Sequence, residues 1–231
     1  MEKSYVAQTL VCDPLSFLTM SHWTENPEIY RRNLPHFAPP KAALFVTFRL
    51  HDSLPKATLD QLQAEQMRIA TLKQSGKLTK EEAINLQKRH FAGFDRILDM
   101  AEGSHALKNP LTAKIVSDIL HEMERQGHIR LWCFTIMANH VHILFSLIEN
   151  GKSLREVMQL MKGRSAFECN KLLEQRGTFW QHESYDHVVR EGEFERIILY
   201  ILMNPVKAGL VKDWRDYPWS YVHPTFANVA L

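Results

Sequence analysis

Apolar positions recur along the chain with two different periods, and each change of period marks an element. After the breaker Pro39-Pro40, the β-rich run Ala42 to Leu50 predicts a first strand, which ends ahead of Ser53 and Pro55. Residues 56 to about 103 switch to helical spacing, with Leu59, Leu62, Ile69 and Leu72 on one face and Ser75-Gly76 as a turn. Thr79 and Glu82 then stand at capping-box spacing and start a second helix. Over residues 111–126, Leu111, Ile115, Ile119, Leu120 and Met123 form one stripe that Gly127 ends. Two β-rich runs, 128–137 and 140–147, flank Ala138-Asn139 and predict a hairpin. A long helix over 153–175 follows, then a strand carried by Ser184 to Arg190, then a helix over 193–203 stopped by Pro205.

The order is β-α-β-β-α-β. It predicts an α+β protein with a ferredoxin-like antiparallel sheet, an early helical insertion at about 56–103, and a helix added after the last strand. Residues 1–28 show no sustained period and contain Pro14 and Pro27, so they read as a poorly ordered or loosely docked extension of a single domain over 29–231.

Composition narrows the function only a little. A length of 231 residues with 45% hydrophobic content suits one buried core, and a formal charge of +2 neither demands nor excludes nucleic acid. Cys12, Cys133 and Cys169 are odd in number and lack paired spacing, which fits a reduced, cytoplasmic protein. Neither a signal peptide nor a transmembrane helix is expected. Charge is more informative locally. From Ile29 to His51 there is no acidic residue, and Arg31, Arg32, Lys41 and Arg49 alternate with Tyr30, Phe37, Phe45 and Phe48. These cations are candidates for contacts to DNA, as are Lys162 and Arg164 on the long helix, although such sets are more often solvated faces.

The chemistry points to Met137-Ala138-Asn139-His140-Val141-His142. With period 2, His140 and His142 share one face of a strand while Val141 points to the core behind them. Two imidazoles so held can bind one metal ion. Chance alone supplies roughly 0.6 His-x-His pairs in a chain with this many histidines, so the pair by itself is weak. On the last helix, Phe194, Ile197, Ile198, Ile201 and Leu202 form an apolar face. Tyr200 and Asn204, four residues apart, lie off that face, where a packing tyrosine and a helix-terminating asparagine remain open readings.

Taken in order, Met137-Ala138-Asn139-His140-Val141-His142, Phe179-Trp180-Gln181, Tyr185-Asp186-His187 and Tyr200 to Leu210 resemble the REP-associated tyrosine transposases, single-tyrosine members of the HUH endonuclease superfamily. Arg31 to His36, Phe45 to Leu50 and Trp219-Ser220 extend the resemblance over nearly the whole chain after about residue 28. Ala138 stands where relatives commonly have proline, and Ser184 where an aromatic residue is frequent.

The resemblance implies that His140, His142 and Asn204 hold a divalent metal, Mg²⁺ or Mn²⁺, and that Tyr200 is the nucleophile. It further implies cleavage and rejoining of single-stranded DNA at palindromic, hairpin-forming REP sequences through a 5′-phosphotyrosine, by a monomer or homodimer. Two other readings stay open: a non-catalytic hairpin-binding regulator on the same fold, and a metal-dependent hydrolase using activated water.

Overall fold

The computed structural model describes residues 42–228 apart from 101, 102 and 191. The extension at 1–28 and the candidates Arg31, Arg32 and Lys41 lie outside the described residues. Strand β1 (Ala43–Leu50) leads to the inserted helices α1 (Lys56–Gln74) and α2 (Lys80–Met100). Helix α3 (Pro110–Arg125), the hairpin β2 (Ile129–Ile136) and β3 (His140–Leu147), and helix α4 (Leu154–Leu172) follow. Strand β4 (Trp180–Val188), helices α5 (Phe194–Leu202) and α6 (Asn204–Lys207), and the short β5 (Ser220–Val222) complete the order.

The sheet runs β4-β1-β3-β2-β5, antiparallel throughout. Its first four strands have the expected ferredoxin-like arrangement, and β5 adds an edge strand that the sequence pattern did not predict. Strand β4 also begins at Trp180 rather than Ser184, pairing Leu50 with Trp180 across a register irregularity after Phe48. Its sequence is mostly polar because it is an edge strand with largely half-exposed residues, which weakens the alternation.

Both faces of the sheet are covered, which is why β1 and β3 read as near-continuous apolar runs. On one face Leu44, Val46, Phe48, Val141, Ile143 and Phe145 pack with α3 and α4. On the other, Phe45, Cys133 and Leu144 pack with Phe91 of α2 and with Ile197, Ile198, Ile201 and Leu202 of α5. His140 and His142 belong to this second face, by alternation with Leu144.

The insertion is tied back to the end of β1. Ser104 N–H donates to Asp52 O at 3.1 Å, and a Cβ on Gly103 would collide with the backbone carbonyls of Asp52 and Ser53. Gly103→Ala is therefore expected to lower unfolding stability by about 1–3 kcal/mol. A denaturation midpoint equal to that of the parent protein would contradict this close approach. The insertion matters for function because α2 carries a residue into the site.

Candidate metal centre and nucleophile

The β2–β3 turn is pinned before it presents any chemistry. Met137 N–H donates to His140 O at 2.8 Å, and Leu50 N–H of β1 donates to Asn139 O at 2.8 Å. Asn139 is buried, and its Nδ2 donates to Leu98 O of α2 at 2.8 Å, which fixes the amide so that Oδ1 faces His140 Nδ1 at 2.6 Å. A carboxamide oxygen only accepts, so His140 Nδ1 carries the proton and its Nε2 keeps a lone pair. That Nε2 lies 3.0 Å from His142 Nε2.

His142 sits between Thr47 of β1 and Thr135 of β2 in the register, and its Nδ1 is 2.8 Å from Thr47 Oγ1. A hydroxyl can donate or accept, so Thr47 serves either tautomer of His142. With Thr47 accepting, both Nε2 lone pairs face the same point.

The third group comes from α2. Asp95 is buried, with Oδ1 3.3 Å from His142 Nε2 and without a hydrogen bond among the described residues. One ligand atom each from Asp95, His140 and His142 gather within 4.8 Å of one another. Asp95 Oδ2 accepts a hydrogen bond from Tyr200 Oη, so one carboxylate joins the imidazole pair to the tyrosine. The orphaned carboxylate oxygen and the facing lone pairs fit a divalent cation, with open positions for other oxygen ligands.

Tyr200 is half-buried. Its ring is 5.9 Å from that of His142, 5.8 Å from Phe45 and 5.9 Å from Phe91, and Lys207 Nζ lies 4.4 Å from its centroid. Burial and the Asp95 carboxylate push its phenol well above the ordinary range, so it is a neutral donor at rest. Burial also raises the Asp95 carboxyl, against the opposing pull of His140.

Asn204 is buried too, and its Nδ2 donates to Tyr200 O at 2.8 Å. Helix α5 ends at Leu202 with Met203 as its C-cap, in line with the expected stop ahead of Pro205, and Asn204 then opens α6 with Pro205 in its first turn. Proline is tolerated there because that N–H has no intrahelical acceptor.

Two of the described cation candidates, Arg49 and Lys162, are engaged within the protein. Arg49 is buried, with Nη1 donating to Leu50 O at 3.3 Å and Ser53 Oγ at 2.9 Å. Burial lowers it to about 10, partly offset by Asp52. Lys162 Nζ donates to Gln181 O at 2.6 Å and His182 O at 2.9 Å, clamping α4 to the start of β4. Among the described candidates, only Arg164 is exposed, with Nη1 3.2 Å from Gln126 Oε1.

Burial pushes His140 and His142 down to about 3, from an ordinary 6.5, with the charge of His142 adding to it at His140 and that of Lys207 at His142. Below pH 6.5 the unfolded chain binds protons that the folded imidazoles refuse, so stability falls as pH drops. Asp95 and Asp99, whose carboxyls burial raises, the latter to about 6, take up protons in the folded state over the same range and oppose this loss.

A family model described as "Transposase IS200 like" matches residues 102–204, which span the histidine strand and the tyrosine helix. Over that segment the chain is similar to the IS200-like transposases. Two proteins named as REP-associated tyrosine transposases are similar to it. The one from Haemophilus influenzae is 29% identical over 98 residues, covering 38% of this chain and 56% of that protein. The one from Escherichia coli K12 is 26% identical over 106 residues, covering 46% and 60%. The chain thus matches less than two thirds of the length of these relatives. A solved structure of a REP-associated tyrosine transposase bound to a REP hairpin aligns with a TM-score of 0.48 and 16% identity, covering 83% of this chain and 80% of that one. The IS200-like segment contains His140, His142, Tyr200 and Asn204, whereas Asp95 and Thr47 precede it. Among the described residues, no helix is long and apolar enough to cross a membrane.

Proposed function

We propose that this protein is a metal-dependent transposase that cleaves and rejoins single-stranded DNA beside a hairpin. The observation that carries the reading is the Asp95 carboxylate, which meets the His140–His142 pair through one oxygen and the Tyr200 hydroxyl through the other. The names of the two similar proteins support REP-type palindromes as the target.

Asp95, His140 and His142 would hold the divalent cation, Mg²⁺ or Mn²⁺. When bound, it would polarise the scissile phosphate and stabilise charge developing on it. Asn139 and Thr47 orient the two imidazoles, and Asn204 ties the end of α5 to Tyr200. Asn204, implied as a ligand by the family resemblance, is given this bracing role because its amide nitrogen is engaged with Tyr200 O.

Tyr200 Oη attacks phosphorus, its proton passes to Asp95 Oδ2, and the P–O3′ bond breaks. The 3′ oxygen leaves as a hydroxyl by taking up the proton that Asp95 Oδ2 received, and the 5′-phosphate stays on the tyrosine, conserving the bond for rejoining. The raised affinity of Asp95 for protons suits it to accept this one.

The test is incubation with single-stranded oligonucleotides carrying hairpins, with Mg²⁺ or Mn²⁺. Denaturing gels should show a protein–DNA adduct that EDTA prevents. Cleavage that releases a free 5′-phosphate without any adduct would instead mark a hydrolase, and binding without cleavage under either metal would mark a regulator.

A further inference from the structure

A cavity of about 380 Å³ opens beside the metal centre, between the inserted helices and the β1–β4 side of the sheet. Its lining is apolar where Leu59 of α1 and Phe91 and Phe94 of α2 meet Tyr185 of β4, with Phe91 stacked on Tyr185 at 4.3 Å and 27°. Thr47, the cross-strand partner of Tyr185, and Arg49 enter the lining from β1. Two of these residues also belong to the centre. Thr47 bonds His142 Nδ1, and the Phe91 ring lies 5.9 Å from that of Tyr200. An occupant of the cavity is therefore one side chain away from the groups proposed to act on phosphate.

We propose that this cavity holds one unpaired base of the DNA strand, next to the nucleotide whose phosphate lies at Asp95, His140 and His142. The inference rests on the DNA-cleaving reading above. Every base has a π-face that stacks on aromatic rings, and an unpaired base presents a free edge of donors and acceptors. Arg49 suits that edge. Its Nη1 bonds to Leu50 O and Ser53 Oγ fix the guanidinium, and among the described residues no acceptor meets its Nε or Nη2. Base-edge nitrogens and carbonyls are such acceptors.

Charge argues for a base over a backbone phosphate in the cavity. Asp60 and Glu183 line it along with Arg49 and Lys56, so the walls carry no formal excess of either sign. A phosphate calls for a cationic pocket, whereas a neutral base with donors and acceptors on its edge matches a mixed one. The inserted helices thereby gain a function beyond supplying Asp95: they build the apolar wall of a base pocket.

The experiment uses hairpin oligonucleotides in which each flanking nucleotide in turn is made abasic, with binding to Tyr200→Phe protein read by fluorescence anisotropy so that no cleavage intervenes. One position is expected to lose about tenfold in affinity when abasic. That loss should vanish in Leu59→Trp, which fills the cavity, and in Phe94→Ala, which removes part of its apolar wall, each checked for folding by circular dichroism. A tenfold loss that persists in both variants places the base elsewhere and overturns the proposal. So does the absence of any sensitive position, or of binding to the unmodified hairpins. Adduct formation by the unsubstituted protein on the same hairpins is scored separately, so failure of the pocket is distinguished from failure of the cleavage reading.

Discussion

Tyr200→Phe is expected to abolish the covalent adduct with hairpin DNA, a loss of roughly 10⁴-fold or more, because no other group replaces the nucleophile. The substitution removes one hydroxyl from a half-buried ring and leaves its contacts with Phe45, Phe91 and His142 in place. DNA binding and metal binding should therefore change little, and the loss should fall on the chemical step. Among the described residues, the competing phenol is Tyr185, whose ring stacks on the same Phe91. Tyr185 has no hydrogen bond to the Asp95 carboxylate, which is occupied by Tyr200. Single-turnover adduct yield with Mn²⁺ measures the effect. Full yield from the Phe variant would remove Tyr200 from the mechanism and move attention to Tyr185, whereas free 5′-phosphate in place of the adduct would show that water can substitute.

Much of this site was legible in the sequence because it follows local period. The His140–His142 alternation fixed one face of β3, and the i, i+4 spacing placed Asn204 one turn beyond Tyr200, where its amide reaches Tyr200 O. The missing residue was Asp95, which lies in the stretch read simply as an insertion. Its signal is present in retrospect. Phe91, Asp95 and Leu98 follow i, i+4, i+7 spacing and are all buried, so a carboxylate interrupts the apolar stripe of an otherwise polar helix. A charge placed there must find a partner or a role. Where a long side chain ends is not set by period at all. Lys162 stands on the helix read as a DNA contact, yet β4 carbonyls capture its amine, and Ser53 with Leu50 hold only one nitrogen of the buried Arg49. Strand β5 has only three residues and depends on pairing with Cys133, Phe134 and Thr135, so its existence is a tertiary fact.

Asp95→Asn separates the stability of the site from its function. An asparagine at this position can accept from Tyr200 Oη through its oxygen and donate from Nδ2 to the nearby His142 Nε2, so both contacts of the carboxylate have a neutral counterpart. The native carboxylate is buried among imidazoles that burial keeps neutral, so it carries a desolvation cost that an amide avoids. Metal-free Asp95→Asn protein is therefore expected to melt at or above the parent temperature. A divalent cation would meet two imidazoles and an uncharged amide, and its affinity should fall about 100-fold, or about 2.7 kcal/mol. Adduct formation should fall further than metal occupancy explains, since the group that receives the Tyr200 proton is also lost. Mn²⁺ titration by calorimetry and thermal melts with and without Mn²⁺ read the two effects apart. Unchanged Mn²⁺ affinity would exclude Asp95 as a ligand, and a lower metal-free melting temperature would show that the carboxylate is retained for packing rather than for chemistry.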